Sequence, residues 1–266
     1  MSIKKIMNKL AFLFLIVLLA SCSSQPNKQS QEQEQGPDLK EASKLNVQLA
    51  VGYIKRNELD VARGKLEKAI EQDDSNSDAY KTLGYLYSRL GMNKEAKDAY
   101  EKAIDIKSDD PDLHNNYGAF LCKMGKIDEA LKEFKTAYTS PFYDSPYLAF
   151  ANAGACLSKQ GNYLQAESML RKALSYDPNL PGALISMADL GIKTKRYLMA
   201  RAYIERYHAK SKPRPDSLWI QIQAEKGLGD RAHYLKYANQ LISQFPDSDE
   251  ANWAREQERD EQLRKK

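Results

Sequence analysis

From about Asn46 onward, apolar and small residues recur along the chain with a period of 34 residues. The recurring positions are Leu49-Ala50, Tyr53, Ala62, Leu66 and Ala69 in the first unit; Tyr80, Leu83-Gly84, Tyr87, Ala96, Tyr100 and Ala103 in the second; Tyr117-Gly118, Leu121, Ala130, Phe134 and Ala137 in the third; and Phe150, Ala153-Gly154, Leu157, Ala166, Leu170, Ala173 and Pro178 in the fourth. No β-type alternation competes with this pattern. Each unit is therefore predicted to form two antiparallel helices, with small residues where they touch and large residues filling the space between them.

This spacing resembles the tetratricopeptide repeat, a helical hairpin of 34 residues. Two weaker units follow, one with Leu184, Met187-Ala188, Ala200, Ile204 and Pro213, and one over residues 215–248 with Gly229 and Pro246. We predict an all-α fold, a superhelix of about six hairpins over residues 41–251. The first helix of each repeat would line a long concave surface. Residues 252–266 are predicted to be a charged C-terminal tail.

The N-terminus has the pattern of an export signal. Lys4, Lys5 and Lys9 precede an uncharged apolar run from residue 10 to residue 20, which is too short to span a bilayer. The run ends in Leu19-Ala20-Ser21-Cys22, which resembles the lipobox of bacterial lipoproteins. That resemblance implies cleavage before Cys22 and lipid attachment to it, whereas the alternative is a plain signal peptide with an incidental cysteine.

The segments around this cysteine predict where the protein resides. Residues 1–21 would be removed as a signal peptide, and residues 22–40 would form a flexible tether, since residues 23–37 contain no large apolar side chain. Lipoproteins retained at the inner membrane typically carry Asp after the lipidated cysteine, and Ser23 stands there in this chain. The resemblance therefore predicts a lipid-anchored protein on the periplasmic face of the bacterial outer membrane.

The charge balance argues against a nucleic-acid partner. The whole chain has 40 basic and 36 acidic residues, but three of the basic residues and none of the acidic ones precede Cys22. The exported part is then almost neutral, with 37 basic residues against 36 acidic ones. It offers no general electrostatic attraction for a polyanion.

The sequence contains no pattern typical of an active site or a cofactor site. The three histidines, His114, His208 and His233, have no His or Cys at metal-ligand spacing. Phosphate-binding glycine loops and a GxSxG motif are also missing from the sequence. We therefore predict a protein without catalytic residues, metal, cofactor or small-molecule substrate.

Two sets of residues are candidates for binding a peptide. Asn116 and Asn152 occupy the sixth position of the first helix in repeats three and four, and their amides suit the backbone of a bound peptide. Val47, Val51 and Ile54 in repeat one would form an apolar patch if they are exposed. Asn is also common at this repeat position without binding a ligand.

A column of cations recurs at the thirteenth position of each repeat. It contains Lys55, Arg89, Lys123, Lys159 and Lys193. These residues could attract an acidic partner, but they also lie near the C-terminus of the first helix. A cation there complements the helix dipole, and we favour that interpretation.

Cys122 and Cys156 lie on the first helices of consecutive repeats. Because exported proteins meet oxidising conditions, this even pair favours a disulfide. In the chain-entropy model such a bridge would stabilise the fold by about 3–4 kcal/mol. The alternative is two small buried thiols that fill the core.

Several segments depart from the plain repeat and point to one family. They include Asn115-Asn116-Tyr117-Gly118, Tyr143-Asp144-Ser145-Pro146 with a two-residue expansion, Asn152-Ala153-Gly154-Ala155-Cys156 and Met187-Ala188-Asp189-Leu190. Together with the lipobox they resemble the type IV pilus biogenesis and stability lipoproteins, a pilotin-type tetratricopeptide family. The resemblance runs from Cys22 to about Pro246.

The resemblance implies a non-enzymatic function. In that family the lipoprotein binds a subunit of the pilus secretin and carries it to the outer membrane, where the secretin assembles into a multimeric ring. Cys22 would supply the targeting, and the repeats would bind the subunit. The alternative is another periplasmic adaptor lipoprotein, such as a subunit for outer-membrane protein assembly or a protease adaptor. A hydrolase would need a clustered acid and base, which the sequence does not show.

Overall fold

The computed structural model describes residues 38–263, with side chains described for residues 38–259. In that range the chain forms thirteen α-helices and no strand. They are α1 (Leu39–Lys55), α2 (Leu59–Gln72), α3 (Ser77–Leu90), α4 (Asn93–Ile106), α5 (Pro111–Lys123), α6 (Ile127–Thr139), α7 (Pro146–Gln160), α8 (Tyr163–Tyr176), α9 (Pro181–Lys193), α10 (Tyr197–His208), α11 (Pro215–Leu228), α12 (Arg231–Gln244) and α13 (Asp249–Leu263). The predicted all-α fold is confirmed. The predicted signal peptide, Cys22 and the tether up to residue 37 lie outside the described residues.

The helices pair into six hairpins, from α1 with α2 to α11 with α12. We call the first helix of each hairpin helix A and the second helix B. Each helix A contacts the helix A of the next repeat, whereas consecutive B helices do not contact each other. The stack therefore curves with the A helices on its inner side, which is the superhelix expected from the sequence.

Glycine allows helices A and B to cross closely. Gly118 on α5 faces the ring of Phe134 on α6, and a Cβ atom at Gly118 would lie 2.8 Å from that ring. Gly84 faces Tyr100 and Gly154 faces Leu170 in the same way. All three large partners are almost completely buried. The alternation of small and large residues in the repeat thus fixes the crossing point of each hairpin.

The core is shared between neighbouring repeats. One cluster of buried side chains joins Tyr100 of the second repeat to Phe134 of the third and to Ala153 of the fourth. Another joins Val47 and Leu66 of the first repeat to side chains of the second. Because no hairpin encloses its apolar face alone, each repeat depends on its neighbours for stability.

The array extends beyond the predicted boundaries at both ends. Helix α1 begins at Leu39, two residues before the predicted start of the array. Helix α13 runs through much of the segment that we expected to be a charged tail, and Ala251 and Ala254 are fully buried against the last hairpin. The core of this hairpin needs a cover. Helix α13 covers it with alanine side chains. Because alanine is only weakly hydrophobic, this segment has the sequence pattern of a polar tail.

A polar pair replaces the usual bulky contact in the first repeat. Asn46 is buried, and its side-chain amide donates to the carbonyl of Ala42 and to Oε1 of Gln72. The latter bond joins α1 to α2 with a length of 2.8 Å. Asn46 therefore takes part in a satisfied polar contact between the two helices of the first repeat.

Candidate peptide-binding surface

The inner surface of the first three repeats contains a cavity of about 310 Å³. Its lining comes from A helices only: Val51, Ile54 and Lys55 on α1, Lys81, Thr82 and Tyr85 on α3, and Asn116 on α5. Val51 and Tyr85 are exposed, and Asn116 is half-buried. The cavity therefore offers an apolar wall, an amide and a cation to a ligand.

Lys81 is held in place by two carboxylates. Its Nζ atom lies 2.7 Å from Oδ1 of Asp78 and 3.0 Å from Oδ2 of Asp110. Burial opposes the charge of Lys81, but its hydrogen bonds and ion pairs with these acids outweigh that effect and raise the pKa of Lys81. Its charge is thus neutralised locally, so Lys81 shapes the cavity more than it attracts an anion.

Lys55 differs from Lys81 in having no partner. Its side chain is exposed at the cavity and forms no ion pair or hydrogen bond with another described residue. An unpaired ammonium beside an apolar wall favours a ligand that carries both apolar side chains and a carboxylate.

The predicted patch of Val47, Val51 and Ile54 is only partly exposed. Val47 and Ile54 are buried, with 8% and 6% of their surface accessible, and both belong to the core between repeats one and two. Only Val51 is open, at 37%. The prediction that Val47 could contact a partner is wrong, because α3 packs over that side of α1.

Asn116 and Asn152 occupy equivalent repeat positions but have different environments. The amide of Asn152 donates to Oδ1 of Asn115 with a bond of 2.9 Å, which joins repeats four and three. Asn116 has no hydrogen-bond partner among the described residues, and it lines the cavity. The two candidates therefore differ: Asn152 uses an amide N–H in a contact between repeats, whereas Asn116 keeps its donors and acceptor available among the described residues.

Tyr85 is a cavity residue that the sequence analysis did not select. It follows Val51 by one repeat period and is 46% exposed. An apolar side chain recurring at a position that faces the inner surface is the signal that could have revealed it.

The cation column connects the A helices to one another. Arg89 donates from Nη1 to the carbonyl of Ile54 over 3.1 Å, and Nζ of Lys123 donates to the carbonyl of Ser88 over 2.6 Å. Lys193 instead reaches a side chain of the preceding helix A, donating to Oγ of Ser158 over 3.4 Å. Each of these cations binds the C-terminal end of the preceding helix A, where carbonyl groups lack helical partners. The favoured interpretation of the column as helix-terminal cations agrees with these contacts.

The structure joins Cys122 on α5 to Cys156 on α7 in a disulfide, with Cα atoms 5.8 Å apart. Both residues are buried, and both belong to the cluster that contains Tyr117 and Phe120. The bridge is therefore a covalent link between consecutive A helices, beside the non-covalent links of the cation column.

One group of potential metal ligands lies between repeats five and six. Glu225, Asp230 and His233 place ligand atoms within 4.8 Å of one another. The guanidinium of Arg201 pairs with Glu225 and lies 3.1 Å from Oδ2 of Asp230. Gln221 also donates to Glu225. Because a guanidinium already neutralises these carboxylates, we assign the cluster to the packing of α10 against α11 and α12.

His114 also serves the packing of the repeats. Its Nδ1 atom lies 2.6 Å from Oε2 of Glu133, and Nε2 donates to the carbonyl of Ser108 over 2.9 Å. The hydrogen bond to Glu133 is the largest influence on the pKa of His114 and raises it despite partial burial. His114 is itself buried, and its two contacts join α5 to α6 and to the turn before α5.

Comparisons with known proteins connect this architecture to pilus assembly. Tetratricopeptide-repeat models match residues 77–110, 99–132 and 148–180. The crystal structure of PilW, described as a widely conserved type IV pilus biogenesis factor, superimposes with a TM-score of 0.73 at 30% identity and covers 79% of this chain and 96% of PilW. The chain belongs to the type IV pilus biogenesis tetratricopeptide proteins.

A second member of this pilus biogenesis family supports the assignment. The type IV pilus assembly protein PilF of Pseudomonas aeruginosa is 29% identical over 239 residues, which is 90% of this chain and 94% of PilF. The solved structure of PilF superimposes with a TM-score of 0.70 and covers 82% of this chain and 99% of PilF. The predicted family is therefore confirmed by sequence and by structure.

None of the helices between residues 38 and 263 combines the length and the apolarity needed to cross a bilayer.

Proposed function

We propose that this protein is a pilotin-type lipoprotein that binds a subunit of the type IV pilus secretin and promotes its localisation and multimerisation. The observation that supports this most strongly is the cavity on the inner side of repeats one to three. Val51, Tyr85, Lys55 and Asn116 give it apolar, cationic and amide groups at once. Such a surface suits a peptide segment and has no arrangement for catalysis.

Each group in the cavity contributes a different part of recognition. Val51 and Tyr85 bury apolar side chains of the segment, and the rigid ring of Tyr85 offers a large contact area at a small entropic cost. The amide of Asn116 hydrogen-bonds the backbone of the segment. Lys55 favours a segment with a carboxylate side chain or a C-terminal carboxylate.

The lipid anchor is the second part of the proposal. Processing at Cys22 would attach acyl chains to the first residue of the exported protein, and each buried CH₂ group contributes about 0.8 kcal/mol to membrane binding. Several chains together hold the repeats permanently at the periplasmic face of the outer membrane. A secretin subunit bound there is confined with other subunits, which raises their effective concentration and favours assembly of the multimer.

The cavity can be tested with purified proteins. Binding of the periplasmic domain of the secretin is measured by calorimetry for the wild type and for Asn116→Ala and Val51→Asp. We expect Asn116→Ala to weaken binding by about 1–3 kcal/mol, because a desolvated partner group is left unpaired. Val51→Asp should weaken it further by placing a charge on the apolar wall.

Asn152→Ala is the matched control, because its amide already bonds Asn115 inside the protein. It should bind the secretin domain like the wild type. If Asn116→Ala and Val51→Asp also bind normally, the cavity is not the binding surface. If the wild type does not bind the secretin domain and deletion of the gene leaves heat-resistant secretin multimers and surface pili unchanged, the pilotin proposal is wrong.

A further inference from the structure

The turns between helices A and B form one edge of the superhelix. In repeats four and five this edge carries exposed leucines. Leu164 and Leu198 begin α8 and α10 at equivalent positions, with 87% and 70% of their surface exposed. Repeats one to three carry charged residues at this position: Asp60, Lys94 and Asp128. The packing of the repeats therefore does not account for these two exposed leucines.

The two turns lie side by side. Nη2 of Arg196, in the turn of repeat five, donates to Oε2 of Glu167 in α8 over 2.7 Å. Lys193 at the end of α9 also reaches Ser158 near the end of α7. These contacts link repeats four and five, so Leu164 and Leu198 lie one repeat apart on the same edge.

The two segments that carry Leu164 and Leu198 are rich in cations. The segments 159–171 and 189–201 together contain six basic and two acidic residues. The two acids are neutralised locally, since Glu167 pairs with Arg171 and Arg196, and Asp189 pairs with Lys193. Lys159 and Lys195 are exposed and form no ion pair with another described residue. Arg201 is also paired, with Glu225 and Asp230. The unpaired cations of this edge are therefore Lys159 and Lys195, which accompany the two exposed leucines.

The backbone of Lys195 has a conformation that is uncommon for lysine. Lys195 closes the turn in the left-handed region, with φ of 56°. Four other repeats place glycine at this point, at Gly91, Gly125, Gly161 and Gly229, where a positive φ costs little. Repeat one places Asn57 at this point, also with a positive φ, of 63°. Asparagine tolerates this region better than lysine, so Lys195 is the less expected residue here.

We propose that the edge formed by the turns of repeats four and five binds the anionic phospholipid surface of a membrane. The headgroup phosphates would interact with Lys159 and Lys195, while Leu164 and Leu198 insert into the interface. Two strongly exposed leucines beside unpaired lysines complement an interface that has an apolar interior and anionic headgroups. This inference does not rest on secretin binding or on lipid attached to Cys22.

The test uses the chain from residue 22 onward with Cys22→Ser, so that no acyl chain contributes. Residues from Leu39 onward form one compact unit, so this protein retains the repeats. Sedimentation is measured with vesicles of phosphatidylcholine alone and of phosphatidylcholine mixed with phosphatidylglycerol. The protein should bind only the mixed vesicles, and added salt should weaken the binding.

Two double variants separate the apolar and charged contributions. Leu164→Ser with Leu198→Ser, and Lys159→Gln with Lys195→Gln, should each lower vesicle binding on the order of tenfold. The control is Leu45→Ser with Val61→Ser, which removes two exposed apolar side chains of repeat one and should bind like the parent protein.

Lys195→Gly distinguishes this role from a structural one. Glycine relieves the strain at positive φ, so thermal stability should rise, while vesicle binding should fall. The proposal is overturned if phosphatidylglycerol does not increase vesicle binding by the parent protein. It is equally overturned if both double variants bind vesicles as well as the control. It is also overturned if only an acidic peptide competes for this edge while vesicles do not bind.

Discussion

On α1, Val47, Val51 and Ile54 follow one another at helical spacing but lie in different environments. Val47 faces the core shared with repeat two, whereas Val51 opens onto the inner cavity. Ile54 is buried and also forms part of the cavity wall. One turn of helix thus separates a residue that stabilises the fold from a residue that can contact a partner.

This difference predicts that the same substitution changes the stability strongly at Val47 and little at Val51. Val47→Asp should destabilise the protein by about 3 kcal/mol or more, because it places an unpaired charge in the core. Val51→Asp should leave the stability within about 0.5 kcal/mol of the wild type, since the new carboxylate reaches water. Urea unfolding of both variants measures the difference, and equal stabilities would contradict the burial of Val47.

The side chain of Asp110 connects repeat two to repeat three. It caps α5 by accepting from the N–H groups of Asp112 and Leu113, and it pairs with Lys81 of α3. Burial alone would raise the pKa of Asp110, but its bonds with Lys81 and with the Leu113 N–H outweigh that effect and lower the pKa. The contribution to stability is therefore present above the unfolded-state pKa near 3.8 and is lost as the pH falls through the lower folded-state pKa.

Replacement of Asp110 by Asn should keep the helix cap and remove the ion pair. Asp110→Asn should lower the free energy of unfolding by about 1–3 kcal/mol at neutral pH, and this loss should shrink below about pH 4. Chemical denaturation at several pH values provides the measurement. Asp109→Asn is the control, because Asp109 is exposed and has no partner among the described residues. A loss that stays constant down to pH 2 would rule out the ion pair as its source.

At the scale of the elements, consecutive A helices are held together by more than side-chain packing. The cation column links the C-terminal ends of neighbouring A helices, and the disulfide adds a covalent link between α5 and α7. This link crosses the two-residue expansion between repeats three and four, where the repeat period is interrupted. The middle of the array is thereby kept in one arrangement.

Loss of the disulfide should destabilise the array. Cys122→Ala with Cys156→Ala should cost about 2–4 kcal/mol and lower the melting temperature by several degrees. A reducing agent should lower the melting temperature of the wild type and leave that of the double variant unchanged. Mass mapping of the non-reduced protein should show the linked peptides, whereas free, alkylatable thiols in the native protein would contradict the bridge.

At the scale of the whole molecule, the proposed anchor and the proposed binding surface belong to separate parts of the chain. The residues from Leu39 onward form a compact unit with its own core. The repeats therefore fold without help from the residue that is proposed to carry the lipid. Each function can be removed while the other remains.

Cys22→Ser tests this separation. The variant should have the same helical content and melting temperature as the unlipidated parent repeats. In cells it should leave the outer-membrane fraction and reduce the yield of secretin multimers. Fractionation followed by blotting measures both effects. Normal amounts of the variant in the outer membrane, in cells that lack the secretin as well, would contradict the lipid anchor.

The sequence by itself determined the repeat architecture. The 34-residue period, the small residues at the helix crossings and the large residues between them are local properties, and each hairpin follows from its own residues. The family was indicated by the segments that depart from the plain repeat. Anchoring through Cys22 depends only on residues at the N-terminus, and it stays a prediction.

Only the tertiary structure decided which side chains remain available. Val47 is covered by the next repeat, Asn152 bonds Asn115, and α13 closes the array through alanines that give little signal in the sequence. These contacts join residues of different repeats, and they depend on the rotation between neighbouring hairpins. The repeat pattern fixes each hairpin but leaves that rotation open. Asn116 could therefore be distinguished from Asn152, and Val51 from Val47, only after the repeats were stacked.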